Sequence, residues 1–534
     1  MGGSHRGPKD EMVMRREESD GRVIPEGRRK AVPTVRHERG GKATTASERA
    51  GQRDLLLETA DSPQGAVPGT RTGQPAPRVR YAVPKSRTIP GWTLPAMTME
   101  EVANEGNLIR AFGEVAQNRG APGPDGQSID EVREHLGELL PVVRRTLLEG
   151  TYRPGMIRRV WIPKTSGGER GLGIPDVVDR WVQQAVLQVL SPHWEPTFHP
   201  SSHGFRPGRS CHTAIAEAKT YLADGYEWVV DLDLEKFFDR VHHQRLVARL
   251  ETKVKDRRLI ALIQRMLKAK VVMPEGVVVN TDEGVPQGGP LSPILSNIVL
   301  DELDRELARR GHRFVRYADD ANIYVRSARA GHRVMASVAR FIEQQLRLKV
   351  NHAKSAVARP EERHFVGFSL WPNPEDGTVE VFLSKRSKDR IDAKIRELTP
   401  RAWGQSLSDC IAALNAYLHG WLNFFGTSCT EAAVRTLHNL DAHIRRRLRA
   451  VLLRQWKRRR FIVRRLIRMG ARVHTAWRVV YEGRKALWAL SHCGPVDTTL
   501  NKAYFTKRGL LSLEREYRVL QLVIAPAQMD LPLE

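Results

Sequence analysis

Two acidic stretches carry the residues best suited to chemistry. In "FVRYADDANIYV", residues 314–325, Asp319 and Asp320 stand side by side within an apolar, aromatic run that reads as a β-hairpin. Adjacent carboxylates in a half-buried strand repel each other and are costly to desolvate. A divalent cation makes the arrangement sensible. Hard cations take oxygen ligands, and a pair of them about 4 Å apart can clamp the attacking and leaving oxygens of a phosphoryl transfer. Such a site needs a further carboxylate from elsewhere. "WVVDLDLEKFFD" offers Asp231 and Asp233 at the end of an apolar strand. Strand alternation puts both on one face, so position alone does not choose between them.

The elements that must position these acids follow from apolar spacing. "TYRPGMIRRVWIPKTSGGERGLGIP" reads as two short strands joined by a Gly-rich hairpin, with a helix from "DRWVQQAVLQVL" after it. "MTMEEVANEGNLIRAFGEVAQNRG" spaces Val102, Leu108, Ile109, Phe112 and Val115 as one helix, ended by "GAPGPDG". "YEWVVDLDLEKFF" reads as a strand running into a helix. "GHRVMASVARFIEQQLRL" places Val334, Val338, Phe341, Ile342 and Leu346 on one helical face. This order predicts an α+β fold, a small split βαβ sheet backed by helices.

After about residue 375 the chain reads as helical and basic. "SLSDCIAALNAYLHGWLNFFG" spaces Leu407, Ile411, Leu414, Leu418, Trp421 and Phe425 helically, with a Ser at its start and Gly426 as its expected stop. In residues 441–470, 12 of 30 residues are Lys or Arg and only Asp441 is acidic. A helix pair so charged repels itself unless an anion neutralises it, which points to nucleic acid. Residues 1 to about 90, rich in Gly, Pro and Arg without apolar period, read as a disordered basic extension, with order expected from near Trp92.

Composition agrees. The 534 residues hold 86 Lys plus Arg against 61 Asp plus Glu, a net charge of +25, which favours a polyanionic partner. No apolar run is long enough for a membrane span and no signal peptide opens the chain, so a cytoplasmic protein is expected. Cys211, Cys410, Cys429 and Cys493 are far apart, with neither a disulfide frame nor a zinc spacing.

Taken together, "NRGAPGPDG", "IPKTSGGERGLGIP", "SHGFRPGRSCHTAI", "VVDLDLEKFFDRVHH", "GVPQGGPLSPILSNIVLDELD", "RYADDANIYV", "LRLKVNHAKS", "FVGF" and "LNAYLHGWLNFF" resemble, in order, the bacterial group II intron-encoded reverse transcriptases, or maturases. The resemblance covers roughly residues 95–520. It implies a right-handed polymerase: fingers over 91–225, a palm over 226–375, a helical thumb or maturase (X) domain over 376–475, and a C-terminal nucleic-acid-binding segment over 476–534.

It also implies roles. The family's first palm Asp precedes a Phe-Phe pair at the fourth and fifth following positions, which selects Asp233 ahead of Phe237 and Phe238. Asp233, Asp319 and Asp320 would be catalytic and, with Leu234, would hold two Mg²⁺ ions, with Mn²⁺ as a substitute. One ion would activate a primer 3′-OH and the other would hold the triphosphate. Phe238 would lie under the sugar of the incoming nucleotide and select dNTPs. Lys164 and Arg170 would contact the triphosphate, Gln287 would lie beside the sugar, and Lys354 would protonate the departing pyrophosphate. Arg445, Arg446, Arg449, Lys457 and Arg458 would contact RNA, and Trp403, Trp421 and Trp456 would stack on bases, with core packing the favoured reading of Trp421.

The implied partners are a group II intron RNA, an RNA template with DNA primer, dNTPs and target DNA. Gly171 and His242 depart from the family's usual Pro and Asn. The tail resembles members lacking an endonuclease domain, so no DNA cleavage by the protein itself is expected; target priming would use a nick, a replication fork or reverse splicing. Two rival readings are a splicing-only maturase and a related reverse transcriptase serving phage defence or CRISPR adaptation. The intact acids disfavour the first and the thumb stretch disfavours the second.

Overall fold

Alternation along four short segments builds a central sheet. In the computed structural model, residues 96–164, 168–373, 375–400, 406–482 and 486–529 are described. The expected basic extension over 1–90, Trp92 and Trp403 lie outside them. The described strands are β1 Ile157–Pro163, β2 Glu169–Pro175, β3 Trp228–Leu232, β4 Val271–Val272, β5 Val278–Val279, β6 Arg313–Tyr317, β7 Asp320–Val325, β8 Ala356–Ala358, β9 Phe368–Pro372 and β10 Val379–Leu383.

The central sheet runs β6-β7-β3-β8, with β3 antiparallel to both β7 and β8. Helix Ser292–Arg309 precedes β6, and helix Ala328–Gln344 joins β7 to β8. This is the expected split βαβ arrangement. Alternate residues feed two cores. Val230, Leu232, Phe314 and Ile323 pack with the flanking helices and with core residues between Met99 and Phe198, whereas Val229, Val315 and Tyr324 pack with helix Cys211–Ala223 and the helical part of the chain after residue 385. Burial on both faces explains why these strands are mostly apolar.

In a second sheet, β1 and β2 form the expected hairpin, extended by β4 and β5 in the order β2-β1-β4-β5. The helix expected over 97–120 is two, Met99–Val102 and Glu105–Gln117. Asn104 breaks them, its side chain capping the second by accepting the Asn107 N–H at 3.3 Å. Ile109 is 50% exposed, outside the buried face.

Three further expectations are corrected. After β3 the chain does not enter a helix directly: Lys236 adopts φ 49°, and a single 3₁₀ turn, Phe237–Asp239, precedes helix His243–Glu251. Beyond residue 375 the chain first pairs β10 with β9, because Val379, Val381 and Leu383 alternate inward. The helix expected from Leu407 onward does start at Ser406 with a capping box to Asp409, but it continues through Gly426 to Ser428. Gly426 serves packing there, since a Cβ would lie 2.9 Å from the Leu520 side chain. Among the described residues no helix is long and apolar enough to cross a membrane.

Candidate active site

The β6–β7 hairpin closes through a two-residue loop. Tyr317 pairs with Asp320, leaving Ala318 and Asp319 at the tip. Only Ala318 has positive φ, 56°, a type II′ pattern in which glycine is usual. Holding an alanine there costs about 1–2 kcal/mol. Its carbonyl accepts a bond from Arg316 Nη1 at 2.8 Å, a charge-assisted contact of about 1.5–3 kcal/mol that offsets the strain.

Leu232 pairs with Ala321, so Asp233 leaves β3 beside Asp320. Local bonds fix it there. The Asp233 N–H donates to Ser355 Oγ at 3.0 Å, and its carbonyl accepts the Asn351 N–H at 2.8 Å. Leu234 faces Val350 across an isolated antiparallel bridge made by the Asn351 and Glu235 N–H groups, which uses neither the N–H nor the C=O of Leu234 itself. That carbonyl is therefore not consumed by the bridge.

Asp231 shares the Asp233 face, as alternation requires, but is already engaged. Arg363 Nε donates to Asp231 Oδ2 at 2.8 Å, and Arg363 Nη2 also donates to the Lys354 carbonyl at 2.8 Å. Arg363 thus pairs with Asp231, while the Lys354 ammonium lies 4.0 Å from the Asp233 carboxylate.

Electrostatics around the tip fit a cation site. Asp319 is half-buried and Asp320 opens to solvent. Burial in surrounding protein raises the pKa of Asp319, with the Asp233 charge adding to it and Arg170 and Arg316 opposing. Asp320 is pushed up to about 7, by desolvation first, then by the charges of Asp319, Asp231 and Asp233. Mutual repulsion of this kind is what a divalent cation relieves, and the donors are all oxygen. Among the described residues no three His, Cys, Asp or Glu side chains cage a metal by themselves. Mg²⁺ does not require such a cage, because it typically takes one or two carboxylates and completes its shell with water and substrate phosphates.

The charge of Arg170 reaches Asp319 from strand β2. Arg170 Nε donates to Gln287 Oε1 at 2.6 Å, so two residues assigned separately from sequence form one unit beside Asp319. The Gln287 carbonyl accepts the Gly173 N–H at 2.7 Å. Gly288, at φ 128°, leaves no room for a Cβ, which would lie 2.4 Å from the Gly173 carbonyl oxygen. The first glycine of "PQGG" thus admits strand β2. Lys164 is exposed at the end of β1, its N–H bonded to the Gly168 carbonyl at 2.9 Å. Phe238 is buried against Phe237, and its carbonyl accepts the Val285 N–H at 2.6 Å. Two residues sequence reasoning passed over also act here: Arg316, behind the turn, and Arg386 in helix Lys385–Leu398, whose charge lowers the Asp320 pKa. Only the arginine inside "RYADD" carried a sequence signal.

The basic stretch divides in two. It forms helices Val434–Gln455 and Arg459–Arg468. Lys457 and Arg458, at their junction, are exposed; Arg445 and Arg446 are partly exposed, with Arg446 lying 4.3 Å over the Trp488 ring. Arg449 is corrected. It is buried, donating to the Leu500 carbonyl at 2.8 Å and pairing with Asp497, so it joins helices and is turned away from solvent. Trp456 is corrected too, being a core residue, and Trp421 lies in the core, the placement favoured for it. The exposed aromatic pair is instead Trp477 and Tyr481, stacked at 5.4 Å on helix Val473–Tyr481.

Comparison with known proteins gives this geometry its family. Residues 162–370 match the reverse transcriptase (RNA-dependent DNA polymerase) family, and residues 388–470 match the group II intron maturase-specific domain. The chain is 43% identical over 193 residues to protein YkfC of Escherichia coli (strain K12), covering 35% of this chain and 50% of YkfC. It is 38% identical over 196 residues to the group II intron-encoded protein LtrA of Lactococcus lactis subsp. cremoris, covering 36% of this chain and 32% of LtrA. Retron Mx65 reverse transcriptase of Myxococcus xanthus is 33% identical over 285 residues, covering 51% of this chain and 62% of that protein. The match thus spans half or less of YkfC and LtrA. Reverse transcriptases as a family use divalent metal ions, and both matched domains are of kinds that handle RNA. The chain carries a reverse transcriptase domain followed by a group II intron maturase-specific domain and is homologous to the group II intron-encoded proteins.

Proposed function

We propose that this protein is an RNA-directed DNA polymerase that extends a primer 3′-OH with dNTPs and also binds its parent group II intron RNA to assist splicing and mobility. The observation that carries the reading is the register of the central sheet. It sets Asp233 beside Asp320 with Asp319 in the adjoining turn, opposite the Arg170–Gln287 pair.

Asp233, Asp319, Asp320 and the Leu234 carbonyl would hold two Mg²⁺ ions, with Mn²⁺ as a substitute. Bound there, the ions supply charge that acidifies the primer hydroxyl and neutralises the triphosphate. The chain's own residues do the rest. Arg170 and Lys164 orient the triphosphate with charge the acids do not cancel. The bond between Arg170 and Gln287 holds the glutamine amide beside the sugar. Phe238 closes the floor under the 2′ position, so a ribonucleotide's extra hydroxyl meets a ring. Lys354, beside Asp233, is placed to give a proton to the leaving pyrophosphate. The partners are intron RNA on the exposed basic helices, template and primer in the cleft, and target DNA, in the cytoplasm.

The test is primer extension on an RNA template with dNTPs and Mg²⁺, beside a splicing assay with the flanking intron. Chelator-sensitive extension supports the polymerase. Splicing stimulation without extension would support a maturase alone.

A further inference from the structure

Arg316 lies at the end of β6, two residues before the turn, and has no surface of its own. All five of its guanidinium N–H donors are used. Nε and Nη2 grip the two carboxylate oxygens of buried Asp304 at 2.7 and 2.6 Å. Nη1 reaches Asn297 Oδ1 at 3.0 Å and the Ala318 carbonyl at 2.8 Å, and Nη2 reaches Ser202 Oγ at 2.7 Å. Only the Ala318 bond goes to backbone, and Ala318 is the strained residue of the turn that carries Asp319.

A second element closes on the same turn. The Arg316 N–H donates to the Ser201 carbonyl at 2.9 Å, and the His203 N–H donates to the Arg316 carbonyl at 2.8 Å. Residues 201–204 therefore run along the open edge of β6. At their end, a Cβ on Gly204 would sit 2.1 Å from the Ala318 nitrogen, and Asn297 Nδ2 holds the Gly204 carbonyl at 2.9 Å. On its far side the segment is tied to helix Cys211–Ala223, where His203 Nε2 and Glu217 Oε2 lie 2.7 Å apart.

A salt bridge meant only to join helix Ser292–Arg309 to β6 would stop at Asp304. This one reaches past it to the turn, and Asn297 from the same helix braces the turn's other side. Resting on the polymerase reading above, we infer that Arg316 is a positioning residue. With Asn297 and Gly204 it locks the Ala318–Asp319 turn in one conformation, so that Asp319 and Asp320 meet the metal ions without first ordering the loop. It touches no substrate. Fixing metal ligands through such a shell is what makes a site selective in geometry.

Arg316→Lys tests this, because it keeps a cation against Asp304 but cannot span to Ala318. Primer extension should fall by about a hundredfold, the cost of a misplacement near 1 Å. The Mg²⁺ concentration for half-maximal rate should rise, Mn²⁺ binding measured by electron paramagnetic resonance without substrate should weaken, and RNA affinity should be unchanged. Gly204→Ala presses the turn from the opposite side, leaves the Arg316–Asp304 pair untouched, and should give the same metal phenotype. If Arg316→Lys does not fold, Arg316→Met with Asp304→Leu removes both charges and should fold with the same metal defect. Any of these variants folding with wild-type Mg²⁺ dependence and Mn²⁺ affinity overturns the inference. A wild-type protein that never extends primers overturns the polymerase reading first, and the inference with it.

Discussion

The two populations of arginine in the basic helices make opposite demands. Arg458, Arg464 and Arg468 are exposed, and no acid pairs with them among the described residues, so replacing all three by Gln removes charge and little else. If they face phosphate, the slope of log affinity against log salt loses about 0.7–0.9 per charge, or about 2 to 3 for the triple variant. Between 50 and 200 mM salt, wild-type affinity should therefore drop roughly 20- to 40-fold further than that of the variant. Arg449 behaves differently. Its guanidinium is buried on Asp497 and the Leu500 carbonyl. Breaking a fully buried pair costs about 3–5 kcal/mol, and because Asp497 keeps some solvent contact, about 2 kcal/mol is expected for Arg449→Gln. The assay is fluorescence-anisotropy titration of an intron RNA at four salt concentrations, with thermal unfolding alongside. The triple variant should melt like wild type with a shallower slope, and Arg449→Gln should melt lower with the wild-type slope. A triple variant with an unchanged slope would refute the assignment, as would Arg449→Gln flattening the slope without a change in melting.

Two further outcomes are expected. Trp477→Ala should weaken RNA binding by about 1–3 kcal/mol, the worth of one stacked base, while leaving unfolding unchanged, since its ring is 43% exposed; gel-shift titration beside calorimetry checks this. Asp176, whose carboxylate accepts the Asp125 N–H, is pushed up to about 6 by burial first. Because folding raises this pKa, the native state keeps the proton longer than the unfolded chain, and the associated stability is complete below about pH 4 and lost as pH rises through 6. Two pK units cap the effect near 3 kcal/mol, and partial exposure reduces it to about 1. Asp176→Asn should therefore unfold at higher denaturant than wild type at pH 7.5 and at the same concentration at pH 4.

Much of the site was legible because its chemistry is local in sequence. The acid doublet within an apolar run, and the alternation that put Asp231 and Asp233 on one face, required only a strand period. The choice between those two came from resemblance, and the contact that sets them apart in the structure, Arg363 on Asp231, comes from 132 residues away along the chain. The same limit explains the misassigned residues. Arg449 and Lys457 belong to one basic run, and only the docking of Asp497 buries one and leaves the other in water. Gly426 carries the composition of a helix stop, yet the approach of Leu520 gives it another use. Arg316 was hidden for a related reason, since its partners Ser202, Asn297 and Asp304 come from two separate segments.

The central claim is that Asp233, Asp319 and Asp320 act together on one phosphoryl transfer. Single-turnover dNTP incorporation on a poly(A) template, compared among wild type, Asp233→Asn and Asp319→Asn, tests it most directly. Loss of either carboxylate removes several kcal/mol of charge stabilisation, so each rate should fall by at least about a hundredfold while RNA affinity stays within about twofold. Extension by either variant at near wild-type rate would contradict the account.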